Sequence, residues 1–251
     1  MPQPSSEPVP QSGGHAQFDQ THWSLILAAA GRQNPSQAAK SLEQLCRLYW
    51  PPLYAFIRRQ GESPPDAEDL TQEFFLRLLD NDYLKSVDQS KGRFRSFLLV
   101  SLKHFLSNER DKARAQKRGG GRRALSLDFS NAETHVQFQL AEKDTPETIF
   151  ERRWATTLLE QALARLRKEY ASQGKEPLFE QLKTTLTEAR GAVAYSQLAA
   201  SLGLSEAAVK MAVHRLRLRY RACLRAEVAE TVASPEEIED ELRHVLGVFA
   251  R

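Results

Sequence analysis

The side chains best equipped for recognition chemistry follow Tyr195. Along Ser205–Arg219, helical spacing sets out Ser205, Glu206, Ala207, Lys210, His214, Arg215, Arg217 and Arg219. Lys210 can donate to O6 or N7 of guanine, and Glu206 can accept from N4 of cytosine, as in major-groove readout. Arg215, Arg217 and Arg219 come later, where such a helix leaves the groove, and suit phosphates. Met211 and Ala212 offer only apolar contact, for example to a thymine methyl, so base discrimination should be modest.

A helix presents these groups only if something holds it. Tyr195–His214 meets the requirements of a helix-turn-helix in order. Ala199 is the small residue where two helices cross, and Gly203, four residues on, permits a turn at positive φ. Leu198, Leu202, Leu204, Val209 and Ala212 supply apolar residues to lock the helices together. An ordinary αα-hairpin would need the same apolar positions. The basic run His214–Arg221 is what favours nucleic acid.

Charge is segregated along the rest of the chain. Lys91–Arg123 carries eleven Lys/Arg against Glu109 and Asp111, and Ser205–Arg225 carries six against Glu206. Glu62–Asp82 carries seven acids against Arg77, and Glu227–Arg251 seven against Arg243 and Arg251. The net charge of +3 hides this pattern. Basic blocks suggest a polyanion partner, although any one block can also be a solvated helix face. The acidic residues Glu236, Glu237, Glu239, Asp240 and Glu241 could pair with the basic helix after Ser205 and compete with DNA.

These groups sit on an all-α framework, since no segment alternates apolar and polar residues. Met1 to about Ala16 is rich in Pro, Ser and Gln and reads as a disordered tail, not a signal peptide. A short helix is expected at Trp23–Ala30. Another is expected over Ser36–Gln60, broken or kinked at Pro51-Pro52. A third, capped by Ser63, should run to Leu79 with an apolar stripe of Leu70, Phe74, Phe75, Leu78 and Leu79. Val87–Gly92 reads as a loop. Arg93 to about Lys117 is a long amphipathic helix ended by Gly119-Gly120-Gly121, which is no phosphate loop because no Gly-Lys-Ser/Thr follows. Phe94 and Phe97 at its start could hold unstacked bases, but core positions suit them better. Pro146 opens a helix ending near Tyr170. A turn at Ser172–Lys175 and a helix at Leu178–Leu186 follow. Ser234 should cap a last acidic helix reaching Phe249. The expected organisation is a tail (1–20), a helical domain (21–123), a flexible linker (124–150), a second small helical domain with the helix-turn-helix (151–226) and an acidic C-terminal helix (227–251).

Several function classes are disfavoured. Two cysteines, Cys46 and Cys223, stand at apolar helical positions and read as buried free thiols of a cytoplasmic protein. No metal-ligand spacing, cofactor loop or nucleophile–base arrangement is apparent, and the six histidines are scattered. The reading is therefore of no catalysis, no metal and no cofactor. Nothing approaches a membrane span.

Three stretches resemble the extracytoplasmic-function type of the sigma-70 family. Leu204-Ser205-Glu206, Val209-Lys210 and His214-Arg215 are similar to its region-four recognition helix. Asp66–Phe75 (DAEDLTQEFF) is similar to the heart of region two. Phe94-Arg95-Ser96-Phe97-Leu98 with Lys103-His104 and an Arg/Lys-rich end resembles the helix that closes that region. The matches keep the family's order over roughly Arg47–Arg225. The resemblance implies core RNA polymerase and promoter DNA as partners. Asp66, Glu68, Asp69, Gln72 and Glu73 would dock on the beta-prime clamp, with a further contact to the beta flap. Lys85, Lys91, Arg93, Arg95, Lys103, Arg110, Lys112 and Arg114 would bind and open the minus-ten element. Ser205–Arg219 would read the minus-thirty-five element. It also allows an anti-sigma factor as a further partner. An acidic helix start is itself favourable, but that does not account for Glu73. A stand-alone helix-turn-helix regulator is the alternative, and it would need only the second half of the chain.

Overall fold

The computed structural model describes residues 35–78, 93–115, 144–187, 195–232 and 234–250. Among these residues every regular element is a helix. The expected helix at Trp23–Ala30, the loop at Val87–Gly92, the Gly119–Gly121 run and most of the expected linker lie outside the described residues.

Helix α1 (Pro35–Arg59) is continuous through Pro51 and Pro52, so the expected break does not occur. Each proline removes an N–H that would bond a carbonyl one turn back, at about 3 kcal/mol in a helix interior. Both prolines are buried, and Leu53, Tyr54, Ala55, Phe56 and Ile57 beside them are fully enclosed. A helix apolar on every face belongs inside a protein, and burial on this scale outweighs two lost hydrogen bonds.

Gly61, at φ 96°, turns the chain into α2 (Pro64–Leu78). The hydroxyl of Ser63 accepts weakly from the Asp66 N–H at 3.4 Å, which is the expected cap. One face of α2 buries Ala67, Thr71, Phe74, Phe75 and Leu78, whereas Leu70 is only partly buried. Helix α3 (Phe94–Ala115) buries Phe94, Leu98, Leu102, Phe105 and Leu106 at helical spacing. Phe74 and Phe105 meet with ring centroids 5.6 Å apart.

Helix α4 (Pro146–Ser172) starts inside the segment expected as linker, with Thr145 as N-cap and Pro146 in the first turn. It is the central element, packing on α1 and on the long helix α7 (Glu206–Ala229). Between α4 and α7 lie α5 (Glu176–Leu182), a 3₁₀ turn (Lys183–Leu186) and α6 (Tyr195–Leu202). The expected helix over Leu178–Leu186 is thus α-helical only to Leu182. The chain closes with a 3₁₀ turn at Pro235–Glu237 and α8 (Ile238–Gly247), which buries Ile238, Glu241, Leu242 and Val245. Ser234 makes no side-chain cap bond, contrary to expectation, because its successors form the tighter 3₁₀ turn.

Candidate polymerase and nucleic-acid interface

The acidic residues of α2 lie away from its buried stripe. Asp66 and Asp69 are exposed, while Glu68, Gln72 and Glu73 are half-buried. The Asp66 carboxylate accepts a hydrogen bond from the Ser63 hydroxyl. The 3.6-residue period thus delivers the apolar set to the core and a run of carboxylates to one surface.

Helix α3 divides its basic residues between two environments. Lys103, Arg110 and Lys112 are exposed, and each has an acidic neighbour: Glu147 at 2.7 Å, Glu62 at 3.5 Å and Glu109 at 2.6 Å. Exposed pairs of this kind contribute little, about 0–1 kcal/mol, and exchange readily for phosphate. Lys103 also holds the Glu147 carboxyl below its usual range by a hydrogen bond. Lys85 and Lys91 lie outside the described residues, as does the side chain of Arg114.

Arg93 and Arg95 stand apart, because the start of α3 faces the C-terminal part of the chain. Arg95 is only 5% exposed. Its guanidinium pairs with Glu241 of α8 and, 3.1 Å away, with Glu151 of α4, and it lies 4.4 Å from the Trp154 ring centroid. Arg93 reaches the other Glu241 oxygen at 2.8 Å. Glu241 is itself 1% exposed, so its charge is compensated almost entirely by these two arginines. His244, one turn along α8, meets Glu151 at 2.8 Å. Burial pushes the Arg95 pKa down, and the nearby Glu151 charge opposes that shift. Phe94 is core, edge-on to Tyr49 at 5.1 Å, and Phe97 packs against the core.

The second basic helix, α7, is held by α6 through a tight turn. Gly203 takes φ 64°, Leu204 N–H donates to Ala199 carbonyl at 3.0 Å, and Gly203 N–H to Ala200 carbonyl. This is a glycine C-cap that satisfies the last carbonyls of α6. Ala199 and Val209 are buried, and Leu198, Leu202 and Ala212 pack against the core. Leu204 is exposed, so its backbone serves the turn and its side chain does not lock the helices as expected. Ser205 caps α7, accepting from Ala208 N–H at 3.2 Å.

Along α7, Glu206, Ala207, Lys210, His214 and Arg215 are exposed together with Met211. Lys210 lies 5.6 Å from the Tyr195 ring centroid, with Glu206 one turn back at 3.9 Å. Arg217 instead turns inward and donates to the Thr185 carbonyl from Nη2 at 2.6 Å and Nε at 3.3 Å. Arg219 forks onto both oxygens of Glu169, at 2.6 and 3.1 Å, and holds that carboxyl below its usual range. Of the pairing expected between the acidic residues and the basic helix after Ser205, the structure shows a contact at the far end of that helix, away from Lys210–Arg215. Helix α8 meets α7 at Arg225 through Glu239, and its buried acid turns to Arg93 and Arg95.

Both thiols are buried and free, as expected. Burial raises the Cys46 pKa to about 12 and that of Cys223 in the same direction. No described helix is long and apolar enough to cross a membrane.

Residues 45–116 match the family model of Sigma-70 region 2, a non-catalytic domain of transcription initiation factors. The match takes in most of α1 and all of α2 and α3, less than a third of the chain. The similarity is to one domain of sigma-70-family factors and covers that part of the chain alone. No curated protein and no solved structure matches the chain.

Sequence reasoning missed the roles of Glu151, Trp154 and His244, and it gave Glu241 the wrong partner, the basic helix after Ser205 instead of Arg93 and Arg95. A signal existed for Glu241. Ile238, Glu241, Leu242 and Val245 share a face at spacings of three and four, so Glu241 falls on the apolar stripe of α8. A carboxylate there requires a buried cationic partner.

Proposed function

We propose that this protein is a sigma factor of the two-domain, extracytoplasmic-function type, with residues 21–123 and 151–226 as its domains. The acidic face of α2 (Asp66, Glu68, Asp69, Gln72, Glu73) docks on the beta-prime clamp of core polymerase. The loop before α3 and the basic residues of α3 engage the minus-ten element. The exposed part of α7, from Ser205 to Arg215, reads the minus-thirty-five element. The observation that carries this reading is the region 2 match over α1–α3, within which an exposed acidic helix precedes a basic one. A stand-alone regulator would have no use for that half.

The test is capture of core RNA polymerase by the purified protein, followed by run-off transcription. Reversing the charge at Asp69 and Glu73 should weaken capture at least about tenfold while helicity is retained, since several interfacial charge contacts are inverted. Unchanged capture would remove α2 from the polymerase interface.

A further inference from the structure

The start of α3 already holds an anion. Glu241 is enclosed against Arg93 and Arg95, two of the residues assigned above to promoter DNA. Its neighbours fix it there. Ile238, Leu242 and Val245 bury the same face of α8, Glu239 ties the helix to Arg225, and His244 reaches Glu151, which also holds Arg95. A phosphate would seek the same two guanidinium groups, and it could add the charge-assisted hydrogen bonds that neither Glu241 oxygen makes there, where the pairing is by charge alone. One site cannot hold both.

We propose that α8 is an intramolecular mask over the region 2 DNA surface: Glu241 occupies Arg93 and Arg95 in the free protein, and nucleic acid must displace it to engage them. This rests on the functional reading above and adds regulation to the same site. The opening it requires is local. Helix α8 is ten residues long, it lies at the end of the described chain, and Leu246 on it is exposed. The packing of α1 and α7 on α4 is left untouched. Buried Arg95 would gain solvent and phosphate in the same movement, which offsets the loss of its carboxylate.

The experiment uses the full chain and a fluorescent single-stranded oligonucleotide, with affinity measured across a salt series. Glu241→Gln keeps the side-chain shape and removes the charge. It should tighten binding about tenfold, since the carboxylate that competes with phosphate for both guanidinium groups is removed. It should also steepen the log–log salt slope by up to about 1.4, roughly 0.7 for each of two freed cations on a single strand. A second measurement needs no variant: amide exchange in residues 238–247 of the unaltered protein should accelerate when saturating oligonucleotide is added. Equal affinity and slope for both proteins, or protection of α8 unchanged by oligonucleotide, overturns the mask. Failure of either protein to bind any DNA at low salt overturns the functional reading itself, and the mask with it. Helicity by circular dichroism shows that the variant is folded. Should it be unfolded, the exchange measurement decides.

Discussion

Arg217→Ala tests whether this side chain positions the proposed recognition helix or contacts DNA. The Arg217 guanidinium is bound to the carbonyl of Thr185, strongly from Nη2 at 2.6 Å and marginally from Nε at 3.3 Å. Thr185 is buried at the end of the 3₁₀ turn, so truncating Arg217 leaves that carbonyl without its charged donor. One charge-assisted bond of this kind is worth about 1.5–3 kcal/mol. At roughly 2–4 °C per kcal/mol for a chain of this size, a loss near 2 kcal/mol lowers Tm by about 4–8 °C. Arg217→Lys keeps the charge but not the fork, so it should recover only part of the loss. DNA affinity should fall for every sequence alike, because α7 loses its anchor, while the salt slope stays unchanged. Arg215→Ala is the contrast. Arg215 is exposed, and its loss should lower the duplex slope by about 0.9 with no change in Tm. The assays are thermal unfolding by circular dichroism and anisotropy titrations of duplex DNA at several salt concentrations. An unchanged Tm for Arg217→Ala, with a slope lowered by about 1, would show that the guanidinium leaves Thr185 for a phosphate, and would refute the reasoning.

Two further outcomes follow from single contacts. Gly203→Ala should cost about 1–2 kcal/mol, the penalty for a side chain at φ 64°, because an added Cβ meets nothing within 4 Å. Chemical denaturation checks this; no loss, or a loss above about 3 kcal/mol, would mean that the turn is not as described. The Glu147 and Glu169 carboxyls are held below the ordinary value of 4.5 by Lys103 and Arg219. A depressed carboxyl stabilises the fold above its unfolded pKa and loses that contribution as pH falls through the folded one. Stability should therefore decline below about pH 4.5, and Arg219→Gln should shallow that decline. Identical acid limbs in Tm–pH curves would exclude the Glu169–Arg219 pair as a contributor.

What was legible in the sequence was what neighbouring residues decide together. Ala199, Gly203 and Ser205 lie within seven residues, and their small size, missing Cβ and capping hydroxyl each specify a local backbone feature found at that position. The burial of Cys46, Cys223 and Phe94 followed from helical period alone. What was not legible depended on distant partners. The helix through Pro51 and Pro52 survives because of surroundings that local propensity does not contain. Arg93 and Arg95 looked like surface cations because no acid lies within one helical turn of them in sequence, and their carboxylates come from Glu151 and Glu241. Arg217 and Arg219 read as two members of one phosphate-facing row, yet Thr185 and Glu169 claim them.

Helix α4 packs against α1 on the region 2 side and against α7 on the other. The side proposed to meet polymerase and the side proposed to read upstream DNA therefore lean on one shared strut. Disturbance of that strut is felt at both surfaces at once. Trp154 and Leu158, fully enclosed in it, touch neither proposed partner, yet the stability of each half depends on them. Any variation at such positions must satisfy two sets of neighbours together, and that restricts what α4 can become.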